Sequence, residues 1–144
     1  MQPSVRATPA VETSITVRSP EIDAFGHVNH AVFLNYLEHA RYEALEAAGF
    51  SWPLLTERDW RIFVVRIEVD YLAEAKRADR LLVRTWAEGF RRTTMILRQE
   101  IVRADDPEVT VARARVTAVW IGPDRRPMRV PEGVRAGLEQ RGPP

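Results

Sequence analysis

The segment Asp23-Ala24-Phe25-Gly26-His27-Val28-Asn29-His30 places a carboxylate, a glycine and two imidazoles just ahead of Ala31-Val32-Phe33-Leu34-Asn35-Tyr36-Leu37-Glu38, a run with helical character. A carboxylate can draw a proton from water or attack a carbonyl carbon itself. A helix start offers unpaired N–H groups and the positive end of a dipole, which suit a developing oxyanion. The pattern points to acyl transfer, with Asp23 as base or nucleophile and the amides of Gly26, His27 and Val28 as oxyanion donors. Gly26 supplies a backbone conformation that a side chain would obstruct. The bland alternative for Asp23 is a turn aspartate bonding its own backbone, common in Asp-x-x-Gly segments.

His27 and His30 have three readings. One of them hydrogen-bonds the reacting carbonyl or the leaving group, both orient the loop, or both join Asp23 around a metal. The last needs a loop folded back on itself and rests on a bare histidine pair, so no metal is expected. Asn29 reads as the helix N-cap, with orientation of Asp23 or contact with a substrate as its functional role. Glu38 is a second candidate acid, although a pair with Arg41 on the same helix explains it as well. Arg91-Arg92 and Arg125-Arg126 have the fork geometry that suits phosphate oxygens.

These residues need a scaffold. Glu12–Arg18 alternates weakly as a first strand, broken by Ser19-Pro20. A long helix runs from Asn29 to a stop at Gly49, with Phe33, Leu37, Ala40, Ala44 and Ala47 on one face and Asn35, His39 and Glu46 opposite. Residues 51–60 form a connector containing Pro53. The period then changes to two: Phe63, Val65, Ile67, Val69 and Tyr71 share a face, with Arg66, Glu68 and Asp70 turned away. Further strands follow over Arg80–Glu88, Thr93–Arg103 and Val109–Ile121, joined by short turns and therefore antiparallel. A short helix, Glu132–Gln140, begins after Pro131. A single helix cannot cover both faces of such a sheet, so a face or edge is expected to pair with another subunit.

The bulk properties narrow the classes. A chain of 144 residues, 45% hydrophobic and 28% charged, fits one ordinary globular domain; we assign 12–140 to it and 1–11 to a flexible N-terminus. A net charge of +1 argues against nucleic acid or a membrane surface as partner. The absence of cysteine excludes disulfides, thiolate zinc sites and a cysteine nucleophile. No apolar run is long enough for a bilayer and the opening residues lack a signal-peptide core, which gives a cytoplasmic expectation. There is neither a Gly-x-Ser-x-Gly elbow nor a phosphate-binding glycine loop.

Asp-x-x-Gly-His-Val-Asn followed by an aromatic-rich helix resembles the hotdog-fold acyl-CoA thioesterases related to 4-hydroxybenzoyl-CoA thioesterase. Tyr36-Leu37-Glu38-His39-Ala40-Arg41, Val69-Asp70-Tyr71-Leu72 and Arg126-Pro127-Met128-Arg129-Val130-Pro131 echo the same family. The resemblance covers nearly the whole chain. It implies an α+β hotdog fold, a long central helix wrapped by an antiparallel sheet of about five strands, with sheets paired in a homodimer or homotetramer and sites at the subunit interface. It also implies hydrolysis of an acyl-CoA without metal or organic cofactor, by Asp23 with help from His30. Many relatives carry asparagine where His30 stands, whereas a branch of short-chain hydrolases has a histidine seven residues after the aspartate, as here. Phe33, a candidate substrate contact, occupies a position where tyrosine is common. Hotdog proteins also include 3-hydroxyacyl thioester dehydratases, whose base and acid His30 and Glu38 could mimic, and non-catalytic binding proteins.

Overall fold

The computed structural model describes residues 8–139 and 141–143. Its centre is helix α1, His30–Ala47. Asn29 caps it in extended geometry, its side-chain oxygen accepting the Ala31 amide at 2.8 Å. Gly49, at φ 92°, ends it in the left-handed region where a Cβ is penalised. Phe33, Tyr36, Leu37, Ala40, Ala44 and Leu45 are buried, while Asn35, His39 and Glu46 face outward as read from the sequence. Ala47, expected on the buried face, is exposed. The apolar stripe ends a turn earlier and includes Leu45 instead.

Strands β1 (Thr8–Pro9) and β2 (Val11–Thr16) precede α1; β3 (Arg61–Tyr71), β4 (Arg80–Phe90), β5 (Thr94–Arg103) and β6 (Thr110–Ile121) follow it. β2 to β6 make a five-stranded antiparallel sheet in the order β2-β4-β5-β6-β3. One sheet face and α1 enclose a single core that includes Leu37, Val83, Leu97, Val116 and Trp120. Thr8–Pro9, within the stretch expected to be flexible, forms β1 and pairs in parallel with β7, Arg141–Gly142. The expected flexible stretch over residues 1–7 lies outside the described residues, as does Gln140 at the end of the last expected helix.

Two local departures have clear causes. The connector 51–60 contains helix α2, Trp52–Glu57, because Ser51 caps it and Pro53 occupies its first turn, where a missing N–H costs nothing. On β3 the regular alternation is broken by a bulge at Val65. Ile62 and Val64 therefore stand opposite the buried Trp120 and Ala118, and Ile67, Val69 and Tyr71 opposite Val116, Ala114 and Ala112. Phe63 and Val65 lose the inward place expected for them and are 55% and 61% exposed. The chain closes with helix α3, Glu132–Glu139, which buries Val134 and Leu138.

Candidate active site

The loop from Asp23 to Asn29 sits at the start of α1 and is held from several sides. Asp23 N–H donates to the His27 carbonyl at 2.8 Å, and the Gly26 amide returns a bond to the Asp23 carbonyl at 3.1 Å. Gly26 adopts φ 82° within this turn, which favours glycine. Val28, buried, donates to the Ala75 carbonyl at 2.8 Å, and Asn29 to the Glu21 carbonyl at 3.0 Å. These bonds tie the loop to the segment between β3 and β4 and to the turn Ser19–Glu21.

Asp23 is half-buried. Its Oδ1 accepts the amides of Phe25 at 2.9 Å and His27 at 3.3 Å, so the turn-capping role is present. Oδ2 makes no hydrogen bond among the described residues. The amides expected to hold an oxyanion are all committed internally: Gly26 to Asp23, His27 to the Asp23 carboxylate, Val28 to Ala75. As folded, those three amides are already engaged. The amides of Ala24 and of His30, the first residue of α1, have no acceptor among the described residues, and that of His30 lies at the positive end of the helix dipole.

The two histidines separate. His27 Nε2 lies 2.6 Å from Glu74 Oε2, and Glu74 also meets Lys76 Nζ at 3.4 Å. This ties His27 to the segment after β3. The exposed His30 ring sits edge-on to Tyr71 with centroids 6.5 Å apart, and the Tyr71 hydroxyl donates to the His30 carbonyl at 3.0 Å. With Oδ1 spent on the loop and His27 turned to Glu74, the Asp23–His27–His30 set does not converge, and no metal-type cluster forms among the described residues. Phe33 is buried and packs against Tyr36 and Tyr71, at 6.0 and 5.7 Å between centroids. It is a core residue here rather than a free substrate contact. Phe25, by contrast, is 84% exposed beside Asp23.

Sequence reasoning missed Glu21. Its Oε1 accepts the Tyr36 hydroxyl at 2.8 Å. Burial pushes the Glu21 carboxyl upward, but the Arg18 backbone amide and Tyr36 hydroxyl outweigh it and leave the group below its ordinary range. Burial first, then this carboxylate, raises the Tyr36 phenol. The only sequence signal was Pro20-Glu21 a few residues before the aspartate.

Glu38 is exposed and forms no ion pair with Arg41. The Arg41 guanidinium instead turns inward and donates from Nη1 to Gln99 Oε1 at 3.0 Å, while Gln99 Nε2 donates to the Leu37 carbonyl and Thr85 Oγ1. Burial pushes the Arg41 group downward. Glu38 and Arg41 edge a cavity of about 260 Å³ between α1 and β3, whose walls include Leu45, Ile62, Met95 and Ala118. A second cavity of about 220 Å³ adjoins it through Tyr42, Ile62 and Phe63 and runs to Trp52, Trp60 and Arg61. Together they form one groove. Arg91 and Arg92 lie in the β4–β5 turn, and Arg125 and Arg126 in the loop after β6; Val130 N–H bonds the Arg92 carbonyl at 2.9 Å and joins the two loops. All four are exposed. They share the sheet end that carries the start of β3, whereas Asp23 lies at the other end, by Tyr71. At ~3.3 Å per residue the length of β3 sets these ends ~30 Å apart.

The profile of the thioesterase-like superfamily matches residues 17–138. The chain belongs to this family. This member is 33% identical over 132 residues to the long-chain acyl-CoA thioesterase FadM of Escherichia coli, covering 90% of this chain and 98% of that one. It is 30% identical over 125 residues to the chloroplastic acyl-acyl carrier protein thioesterase ATL2 of Arabidopsis thaliana, covering 87% of this chain but spanning only 66% of the plant protein. The solved structure of YbaW, a probable thioesterase from Escherichia coli, superposes with a TM-score of 0.75 at 32% identity, over 90% of this chain and 96% of that one. The expected hotdog fold, α1 against a five-stranded antiparallel sheet, is the fold this family member has.

Proposed function

We propose that the chain is a cytoplasmic, homo-oligomeric acyl-CoA thioesterase that needs neither metal nor organic cofactor. One observation carries the reading: at a single helix start, a carboxylate with one unbonded oxygen stands near an amide with no acceptor. The family and the activities named for FadM and ATL2 support it. The thioester carbonyl lies over the start of α1 with its oxygen on the His30 amide. Asp23 Oδ2 either takes a proton from the attacking water or attacks the carbonyl carbon itself, forming an anhydride that water opens. In both routes charge builds on the carbonyl oxygen, the C–S bond breaks, and coenzyme A leaves as a thiol after gaining a proton. His27 holds the loop through Glu74, and Asn29 holds the helix start. Arg91, Arg92, Arg125 and Arg126 are a surface for the phosphates of coenzyme A, and at ~30 Å from Asp23 they serve the site of a second protomer and not their own.

The oligomer reading rests on β3. It is an edge strand of 11 residues, and its Phe63, Val64, Val65 and Tyr71, with Leu72 just after it, are each 44–61% exposed. A long apolar edge of this kind is covered in a stable protein.

The test is thiol release from a panel of acyl-CoAs, free of protein thiol background because the chain has no cysteine. Asp23→Asn should lower the rate ~10²–10⁴-fold with an unchanged circular dichroism spectrum. A rate that survives the substitution removes Asp23 from the chemistry. No release from any substrate, with tight binding of a non-hydrolysable analogue, would replace catalysis by a binding role.

A further inference from the structure

The loop that carries Asp23 is a small hairpin. Asn29 N–H donates to the Glu21 carbonyl at 3.0 Å, Ile22 bridges Val28, and Asp23 N–H donates to the His27 carbonyl at 2.8 Å. Residues 21–23 thus run alongside 27–29, with Gly26 in the turn. Two of the hairpin's anchors lead to the segment between β3 and β4: His27 to Glu74 and Val28 to Ala75. The His30 amide belongs instead to α1, whose start is held to β3 by the Tyr71 hydroxyl. None of these bonds joins the loop to the body of the helix. A carboxylate and an amide on different elements act together only if something fixes one element against the other.

One bond does so. Beyond the Asn29 cap, the Tyr36 hydroxyl donating to Glu21 Oε1 at 2.8 Å is the only side-chain hydrogen bond between this hairpin and α1 among the described residues. Tyr36 stands six residues after His30, ~9 Å along the helix axis, so the bond reaches past the first turn. Tyr36 is 4% exposed and its ring packs on Phe33; a buried hydroxyl needs an acceptor. Glu21 is oriented from its own turn to supply one, because Oε1 also accepts the Arg18 amide at 2.8 Å and Oε2 accepts Arg18 Nη2 at 3.3 Å. A hydrogen bond to a carboxylate is shorter and stronger than one between neutral groups. Glu21 therefore holds the loop through its backbone carbonyl and the helix through its side chain.

We propose that Glu21 and Tyr36 are positioning residues, whose bond sets the distance and angle between the Asp23 carboxylate and the His30 amide while neither side chain touches the substrate. This gives a purpose to a phenol and a carboxylate placed beneath the loop, where a phenyl ring would pack as well and need no acceptor. Without the bond the loop can shift against the helix, and a displacement of ~1 Å at reacting groups costs up to ~10²-fold in rate. Binding of the substrate does not draw on the pair, so kcat falls and KM does not. The effect on rate rests on the thioesterase assignment; the effect on the loop does not.

The experiment compares Tyr36→Phe, Glu21→Ala and Glu21→Gln by thiol release and by amide hydrogen exchange. Tyr36→Phe, which keeps the ring, should lower kcat ~10–10²-fold with KM within ~2-fold of wild type. Glu21→Ala should lose as much, and the double variant no more than Glu21→Ala alone, because the two side chains act as one unit. Glu21→Gln keeps an acceptor and should recover most of the loss. Exchange at Asn29, whose amide rests on the Glu21 carbonyl, should quicken at least ~10-fold in Tyr36→Phe, while Leu37 and Ala40 in the body of α1 exchange as before. A wild-type kcat in Tyr36→Phe, or losses that add in the double variant, overturns the positioning role. Equal quickening at Asn29, Leu37 and Ala40 overturns it too, since the pair would then stabilise the whole fold. If Glu21→Ala does not fold, Tyr36→Phe and Glu21→Gln decide the question. Should the wild-type protein release no thiol, the thioesterase assignment fails, and unchanged exchange at Asn29 in Tyr36→Phe is then the result that overturns the pair's hold on the loop.

Discussion

At the scale of single residues, the proposed site gives the backbone of His30 more weight than its ring. Asn29 has φ −56° and ψ 136°, the extended geometry that a following proline requires. The first helical position tolerates proline because its N–H has no helical partner. His30→Pro should therefore leave the fold intact while deleting the oxyanion donor, lowering kcat ~10²–10³-fold. His30→Ala, which keeps the amide and removes the imidazole, should cost far less. Steady-state rates for the two variants separate the roles, and equal losses would assign the function to the ring. Asp23 and Asn29 were legible in the sequence because local chemistry dictates both a turn acid and a cap. The donor was not. Whether an amide is free depends on what the fold brings to it, and Val28 is consumed by Ala75, 47 residues away in the chain.

Among the elements, the long strands and the central helix were readable because periods of two and 3.6 survive any tertiary arrangement. The bulge was not readable. One extra residue leaves the written alternation of β3 intact, yet it turns Phe63 and Val65 away from the core. α2 carried its signal in Ser51 and Pro53, but six residues are too few for a periodic pattern. α3 shows how closely elements approach one another. A Cβ on Gly137 would lie 2.6 Å from the Ala48 Cβ and 3.1 Å from its Cα, at the end of α1. Alanine is intrinsically the better helix former by ~1 kcal/mol, but here the clash dominates. Gly137→Ala should destabilise by ~1–3 kcal/mol, visible as a lower melting temperature. Gly133→Ala, which meets only the movable ring of Phe50, should lose less, and a stabilised Gly137→Ala would mean that α3 stands farther from α1.

The whole molecule is asymmetric between its two sheet edges. β3 is bare and apolar, so a charge placed on it should act on assembly rather than folding. Val65→Lys, at the outward bulge, is expected to give a folded monomer by analytical ultracentrifugation and to lose thiol release along with the partner. A dimer that persists would place its interface elsewhere. The other edge, β2, lies four strands away and carries both ends of the described residues: Thr8–Pro9 leads directly into it and is clasped to Arg141–Gly142. Sequence added beyond either end of the fold would thus emerge on the side remote from β3. The architecture can accrete new segments, as a relative about a third as long again would require, while the β3 edge stays clear.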